Sequence, residues 1–490
     1  MSPVKIAPRN TAASPPHWSA IILAGQRPGI DPLASAFGET YKALVKVAGE
    51  PMLARVVEAL LKTPAIARIV LSAWLLAAIL LAPFKAPLRA EQPAKAEQVS
   101  TEPFDEVWRL VRDRFYDSKL HGLDWAATGD THRPRYAAAS SPTERSAAIN
   151  AMLGELKASH LRHYINDDPS YYQLAEIFSY PLRGEIPKHF PSNKVIYPGI
   201  GIFTKTIESK TFVYGVMAGL PGDKAGLLTG DEILSADGQP FQPVGSFKGK
   251  TGQPVSLEIR RSADGNTRRV IVVPETIEPG EAFKSALRDS VRIIERDGKK
   301  IGYIRFWSYA GSRYQDVLEE ELSSGKLKDA DALIWDLRGG WGGARPHYLD
   351  IFVPQAITMT MTERNGDAEA VNFRWRKPVA LLIDAGSRSG KEVLAHGFKE
   401  LKLGAIIGER TAGALLAATA FMLSDGSLLV LAVNDVSVNG VRLEGVGVTP
   451  TIEQSFDIRY AGGKDPQIER ALEEVVKPRK ADGNSGVSAP

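Results

Sequence analysis

The chain has 490 residues, 44% of them hydrophobic and 24% charged, enough for three or four globular units with sizeable cores. Its net charge of +3 is spread without a basic block, which leaves no electrostatic case for a nucleic-acid partner. The absence of cysteine excludes disulfides, zinc–thiolate sites and thiol catalysis, so a covalent nucleophile must be an oxygen or an amine.

The first expected element is a short strand, Ala20 to Leu23, followed by a glycine-containing loop with Lys42 and Lys46 beyond it. Backbone amides in such a loop cradle phosphates. Residues 17–71 resemble the opening of nucleotidyltransferases that include molybdenum-cofactor guanylyltransferase-like enzymes. The acidic magnesium residues those enzymes use downstream have no counterpart, so 1–71 reads as a truncated segment; nucleotidyltransferase activity of 17–71 is the second alternative function, and no nucleotide binding by the isolated segment is expected.

Residues 69–83, "IVLSAWLLAAILLAP", form the only long apolar run. It falls short of the ~20 residues of a membrane helix. With Arg68 before it, and Lys85, Arg89 and the linker "EQPAKAEQ" after it, it matches the apolar core of an export signal ending near Ala86 or Ala90. Residues 72–98 are therefore read as signal-like segment and linker, implying a periplasmic or extracellular protein, or one held at the membrane by 69–83. The alternative is a buried core element and a cytoplasmic protein. Met52, with Arg55, Lys62 and Arg68 behind it, suits the start of an exported precursor.

Residues 99–190 read as a helical domain. From Phe104 the apolar positions Val107, Leu110, Val111 and Phe115 have helical spacing, and a second helix over Ser141–Ala158 shows Ile149, Met152, Leu153 and Leu156 as its stripe. It runs into "SHLRHY", which puts His160 at a helix end, where a histidine commonly caps. Residues 195–280 change to short strands and glycine turns with one short helix after Gly222, a small β domain. Over 281–477, "IGYIRFWSYA", "ALIWDLRGGWGG", "VALLIDAG", "GAIIGERT" and "GSLLVLAVNDV" alternate with helical stretches, a layered α/β core. The tail 478–490 has a disordered composition. The fold class is α+β multidomain.

In "LLIDAGSRSGKEVLAHGFKE", residues 381–400, the apolar run Leu381–Ile383 gives way to a helical pattern carrying Val393, Leu394 and Phe398. A strand thus delivers Ser387 or Ser389 to a helix N-terminus. A serine there caps the helix, or attacks a substrate where the macrodipole stabilises the developing oxyanion. Attack needs a proton acceptor. Lys391 lies ~200° round the helix from Ser389, and His396, two turns on, lies about 10 Å away along the axis.

The segment "GDKAGLLTGDEILSADG" resembles a PDZ domain. That resemblance implies that Gly199, Ile200, Gly201 and Ile202 of "YPGIGI" offer backbone amides to a peptide's terminal carboxylate, the peptide adding as a strand to the sheet edge. The alternative is a β insertion without a ligand.

Residues 100–460 resemble the tail-specific, or carboxyl-terminal processing, serine peptidases, on six pieces in that family's order. They are "LKASHLRHY", the PDZ-like unit, "LIWDLRGGWGG", "DAGSRSGKEVLAHGFKE", "GERTAGA" and "LEGVGVTP". The resemblance implies a crotonase/Clp-like core, no metal or organic cofactor, and protein or peptide substrates cleaved near their C-termini. By the pattern "G-S-x-S-x-x-E" it assigns the nucleophile to Ser389. Many members carry a lysine where Ala414 stands in "GERTAGA". "ASHLRHY" is instead similar to the "S-H" element of the tricorn-like branch, implying His160 as base, Ser159 as a helper in its orientation, and Glu444 as the group that holds the imidazole. Amides of Gly390 and Gly342, with Gly343 the next choice, are expected to bind the oxyanion.

Three positions depart from that pattern: Leu161 for threonine, Thr451 for aspartate, and Lys391 for a small residue, a cation expected near the oxyanion region. A peptidase-like protein that binds peptides without cleaving them is the alternative function. Asp336 and Arg338 are expected to form an ion pair that fixes the glycine loop.

Overall fold

The computed structural model describes residues 103–353, 359–371 and 374–477, together with the strand backbones 18–22, 46–47, 50–51 and 66–71. The chain divides into two compact units, Met1–Glu97 and Gln98–Pro490. In the first, strand Trp18–Ile22 runs parallel to Ile66–Leu71, and Lys46–Val47 pairs antiparallel with Glu50–Pro51. The strand expected from Ala20 therefore starts two residues earlier. Residues 69–71 of the apolar run belong to this ladder. The rest of that run, the linker 72–98, Lys42 and the tail 478–490 lie outside the described residues. Among the described residues no helix is long and apolar enough to cross a membrane.

The second unit opens with three helices, α1 (Pro103–Arg114), α2 (Trp125–Ala138) and α3 (Pro142–Gly154). Ser141 caps α3 by accepting the Glu144 amide at 3.2 Å. The expected stripes are inward: Leu110 is partly buried, while Val107 and Val111 of α1 with Phe115 just after it, and Ile149, Met152 and Leu153 of α3 with Leu156 just after it, are buried. Each contributes roughly 1.5–3 kcal/mol by leaving water. Helix α2 has no such stripe, because only Trp125, Gly129 and Tyr136 are buried and Pro134 interrupts its interior.

Strand β1 (Arg162–Tyr164) leads toward a six-stranded antiparallel sheet whose edge is β2 (Ile202–Ile207). That sheet continues through Lys210–Val216, Glu232–Ala236, Val255–Arg260 and Arg268–Val272, with Gln239–Pro240 beside its third strand. Ile200, Val213, Ile233, Phe247 and Leu257 make its core, and a single helical turn, Pro221–Lys224, follows Leu220.

The central sheet has the order Arg292–Arg296, Lys299–Arg305, β3 (Ala332–Asp336), β4 (Val379–Ile383), Ala405–Gly408, Ile452–Glu453. Only its first pair is antiparallel. Strands β3 and β4 are buried on both faces, which explains their unbroken apolar sequence. Leu333, Trp335, Leu381 and Ile383 face the cluster that holds Leu394 and Phe398 of helix α4 (Gly390–Glu400). Ile334, Ala380 and Leu382 face Ala471, Leu472 and Val475 of helix Pro466–Val475.

A third, antiparallel sheet orders Ala417–Met422, Leu428–Asn434 and β1, with His163 opposite Leu429. A strand from the helical region is thereby built into the core, and the residues just before it are carried to the carboxyl ends of β3 and β4. Ligands in parallel α/β sheets bind at such ends.

Candidate active site

Strand β4 ends at Ile383, and six residues later Ser389 caps α4. Ser387 is fully buried and its hydroxyl donates to the Leu337 carbonyl at 3.0 Å, so it is structural. Ser389 is half-buried and sits at φ 57°, ψ −130°. Such a conformation costs about 1–3 kcal/mol in a residue with a side chain and concentrates at functional turns. A strained strand-to-helix turn is how a serine oxygen is lifted out of a sheet toward substrate.

The strained turn is held from behind by Glu392. Its carboxylate accepts the Ser389 amide at 3.1 Å, the Thr411 hydroxyl at 2.6 Å, and the Gly413 and Ala414 amides at 2.7 and 2.8 Å. Burial pushes the Glu392 carboxyl above its ordinary pKa, against these hydrogen bonds, which favour the anion.

His160 does not end a helix. Helix α3 stops at Gly154, and His160 lies in the loop before β1 at φ 52°, with its Nδ1 2.9 Å from the Ser159 hydroxyl oxygen. That hydroxyl donates to Glu444 Oε2 at 2.8 Å, and the Ser159 amide donates to Glu444 Oε1 at 2.8 Å. Glu444 was expected to hold the imidazole; it reaches the ring through Ser159, because both its oxygens are already spent on Ser159 and the Leu415 amide, the latter at 2.7 Å. Burial, and after it the Arg388 charge, push His160 down to about 4, with Glu444 opposing.

One peptide unit links the two halves. The Ala414 carbonyl accepts the Ser389 amide at 2.8 Å, and the Leu415 N–H of that same peptide donates to Glu444. Among the described residues no hydrogen bond joins the His160 ring to the Ser389 hydroxyl.

The loop after β3, Gly339–Gly343, packs on the elbow. A Cβ on Gly342 would lie 2.5 Å from Ser389 Cβ and 2.8 Å from the Gly390 nitrogen, so only glycine permits this approach. Neither the Gly342 nor the Gly390 amide has an acceptor among the described residues. Gly343, the next choice, packs its α-carbon against Ala310, and its amide likewise has no acceptor among the described residues.

The loop is fixed from three sides. Arg338 grips Asp336 with bonds of 2.9 and 2.6 Å and reaches Gln467 at 2.8 Å, and although burial works to raise it, Arg338 and Arg305 hold Asp336 well below the carboxylate range. Asp384 accepts the Gly339 and Gly386 amides, each at 2.9 Å, and the Tyr214 hydroxyl. Lys391 is fully buried and donates to the Phe306 and Gly339 carbonyls at 2.6 Å each. Its cation therefore does not stand at the oxyanion region as expected: its direction round α4 sends it beneath the glycine loop. Burial lowers it to about 7.

Other sequence candidates take structural places. His396 pairs with Glu400 at 3.3 Å, Leu161 packs on the helical core, and the Thr451 hydroxyl bonds the Ile406 backbone at 2.8 and 3.0 Å. Of the four residues expected to capture a carboxylate, Gly199 ends a strand paired with Glu275, and Ile202 begins β2 opposite Val216. That leaves Ile200 and Gly201 as the connecting turn, with the Ile200 side chain buried and Gly201 at φ 71°. This turn and β2 line a cleft of about 860 Å³ with Arg162 and Tyr164. A second cleft of about 580 Å³ shares Phe203, Thr204, Arg162 and Tyr164 and reaches Gly339, Trp341 and Arg388. Glu392, Asp384 and Arg388 escaped the sequence reading of roles. Only Glu392 carried a signal there, as the last letter of "G-S-x-S-x-x-E".

Among the described residues no group of carboxylates and imidazoles has the arrangement of a metal site.

Residues 300–454 match peptidase family S41, and residues 98–154 match the tricorn protease C1 domain. Tricorn protease homolog 2 of Streptomyces coelicolor is 27% identical over 399 residues, which are 75% of this chain but 31% of that protein. A carboxyl-terminal-processing protease of Synechocystis sp. is 25% identical over 386 residues, 74% of this chain and 85% of that protein. A solved photosystem II D1 C-terminal processing protease superposes with a TM-score of 0.43 at 20% identity, covering 74% of this chain and 97% of that one.

Proposed function

We propose, from the premise that this chain is a serine-type hydrolase with a family S41 peptidase domain at residues 300–454, that it cleaves protein or peptide chains near their C-termini with Ser389 as nucleophile. His160 Nε2 takes the Ser389 proton as the oxygen attacks the scissile carbonyl. The amides of Gly342 and Gly390 receive the oxyanion, the imidazolium returns the proton to the leaving amine as the C–N bond breaks, and water hydrolyses the acyl-enzyme. Glu444 acts through Ser159, fixing the ring so that Nε2 is the nitrogen left for the proton.

The observation that carries this reading is the shared peptide unit at Ala414–Leu415, which ties the nucleophile's backbone to the Glu444–Ser159–His160 chain. Two unpaired glycine amides at the serine support it further. Catalytic hydrogen bonds commonly tighten only with substrate in place, so the ring and hydroxyl come into contact in the complex.

Substrate capture follows from the edge strand β2 and the Ile200–Gly201 turn: an unstructured chain end adds along β2 in the manner of a PDZ ligand. Export or membrane anchoring through residues 69–83 belongs to the same proposal, and N-terminal sequencing of the mature protein tests it.

The test of the chemistry uses the full chain, a denatured protein substrate and a fluorophosphonate. Wild type is expected to cleave and to be labelled on the peptide containing Ser389. Ser389→Ala and His160→Ala lose at least about 10³-fold in turnover. Equal turnover in all three overturns the proposal. The missing His160–Ser389 hydrogen bond favours a second reading, peptide binding without hydrolysis, which predicts no label.

A further inference from the structure

Arg388 immediately precedes the nucleophile. Its guanidinium lies 5.6 Å over the Trp341 ring, and its Nε donates to the Gly386 carbonyl at 3.4 Å. Trp341 is itself pinned, its indole N–H donating to Gln173 Oε1 at 2.8 Å. Both terminal nitrogens of Arg388 are left without an acceptor among the described residues.

Arg162 projects from β1 with its guanidinium 5.4 Å over the Tyr164 ring, and it too has no ion-pair partner among the described residues. Both arginines line the 580 Å³ cleft, together with Tyr164.

Among the described residues none of the acidic groups of that cleft forms an ion pair with either arginine. Asp168 is spent on the Ser170 amide, Asp384 on Gly339, Gly386 and Tyr214, and Asp457 on Arg459. Glu409 is held by the Phe456 backbone, and burial raises its pKa. Lys205 adds positive charge, whereas Arg305, whose Nε lies 3.9 Å from Asp336 Oδ2, is turned toward that buried carboxylate. Arg338, by contrast, is saturated by Asp336, Asp465 and Gln467.

We propose that Arg388 and Arg162 form a carboxylate-binding subsite beside Ser389, which selects chains presenting an Asp or Glu side chain, or a free C-terminal carboxylate, next to the scissile bond. This rests on the cleft being the substrate channel. The paired N–H groups of a guanidinium fork match a carboxylate's two oxygens, and the stacked ring fixes the fork before substrate arrives.

The test reads binding, so that it stands apart from the chemistry. Full-chain Ser389→Ala is titrated with fluorescent octapeptides that are neutral and amidated, neutral with a free C-terminus, or amidated with one glutamate placed at each position in turn. A Kd about tenfold tighter for one glutamate position assigns the subsite to a side chain; the same gain for the free terminus alone assigns it to the chain end. In either case Arg388→Gln and Arg162→Gln each remove most of the gain, and Arg388→Lys keeps part of it. A gain that survives both glutamine substitutions belongs to another site, such as the Ile200–Gly201 turn, and overturns the assignment. So does the absence of any gain. Thermal melts of each variant exclude misfolding as the cause. Loss of fluorophosphonate labelling in the Ser389-containing protein would sink the hydrolytic reading while leaving these Kd ratios interpretable.

Discussion

Ser159 gives Glu444 both of its donors, amide and hydroxyl, at 2.8 Å each. The carboxylate thus steers the imidazole at second hand. Ser159→Ala keeps the amide bond and removes the relay, so kcat should fall roughly 10²-fold with KM little changed. Glu444→Gln should fall at least as far, and the double variant no further than Glu444→Gln alone. Steady-state kinetics on one peptide decides it: an unimpaired Ser159→Ala would mean that the carboxylate reaches the ring directly.

Under the proposed chemistry the low pKa of His160 should set the acid limb of activity. Burial and Arg388 place it at about 4 rather than the free value of 6.5, so kcat/KM should hold steady from pH 7 down to about 5 and fall below that. Arg388→Gln removes one of the lowering charges, and its limb should move up in pH. A pH profile of a neutral amidated peptide measures both. A limb near 6.5 in the wild type would show that the ring is solvated in solution.

His163 is also held at about 4 by burial, while its ring bridges the Ser146 and Ser427 hydroxyls at 2.8 Å each. Its folded pKa lies below the unfolded one, so the unfolded chain binds more protons between the two. The associated stability is complete above pH 6.5 and is lost as pH falls toward 4, by up to about 3 kcal/mol. Urea midpoints across pH 7 to 4 should show this loss together with the similar one from His160, and His163→Gln should remove about half of the two histidines' joint effect.

Gly342→Ala puts a Cβ 2.5 Å from Ser389 Cβ and against the Gly390 nitrogen, backbone that cannot swing aside. Fluorophosphonate labelling should slow at least about 10²-fold, as for loss of an oxyanion donor. Gly154→Ala meets no atom within 4 Å and serves as the silent control.

Lys391 is lowered to about 7 from its ordinary 10.5, so the stability linked to it is full above 10.5 and declines as pH falls toward 7. Lys391→Met should abolish that slope and cost about 1–3 kcal/mol at pH 9, where the Phe306 and Gly339 carbonyls lose their donor. Thermal unfolding at pH 7, 8 and 9 measures it.

The strand-to-helix turn at Ser389 and the inward stripes of α1 and α3 were legible because apolar spacing records burial directly. The Asp336–Arg338 pair and the closeness of Gly342 to Gly390 came from a family pattern. Helix α2 was not legible: two widely spaced aromatics and an internal proline give no periodicity. The Ser159 bridge and the Lys391 anchor were hidden for another reason. Each depends on which way one side chain turns within a segment whose identity was already clear, and composition carries no record of that choice. Arg388 was unreadable because an unpaired arginine differs from a paired one only in its surroundings.

Strand β1 enters the core beside Leu428–Asn434, so His160 is carried to its place only after the ribosome has laid down nearly the whole polypeptide. Under the proposed chemistry, an unfinished or clipped copy is harmless to its neighbours. The late-made segment at 428–444 then acts as the arming pin, since it supplies both the strand that pairs with β1 and the carboxylate that holds Ser159.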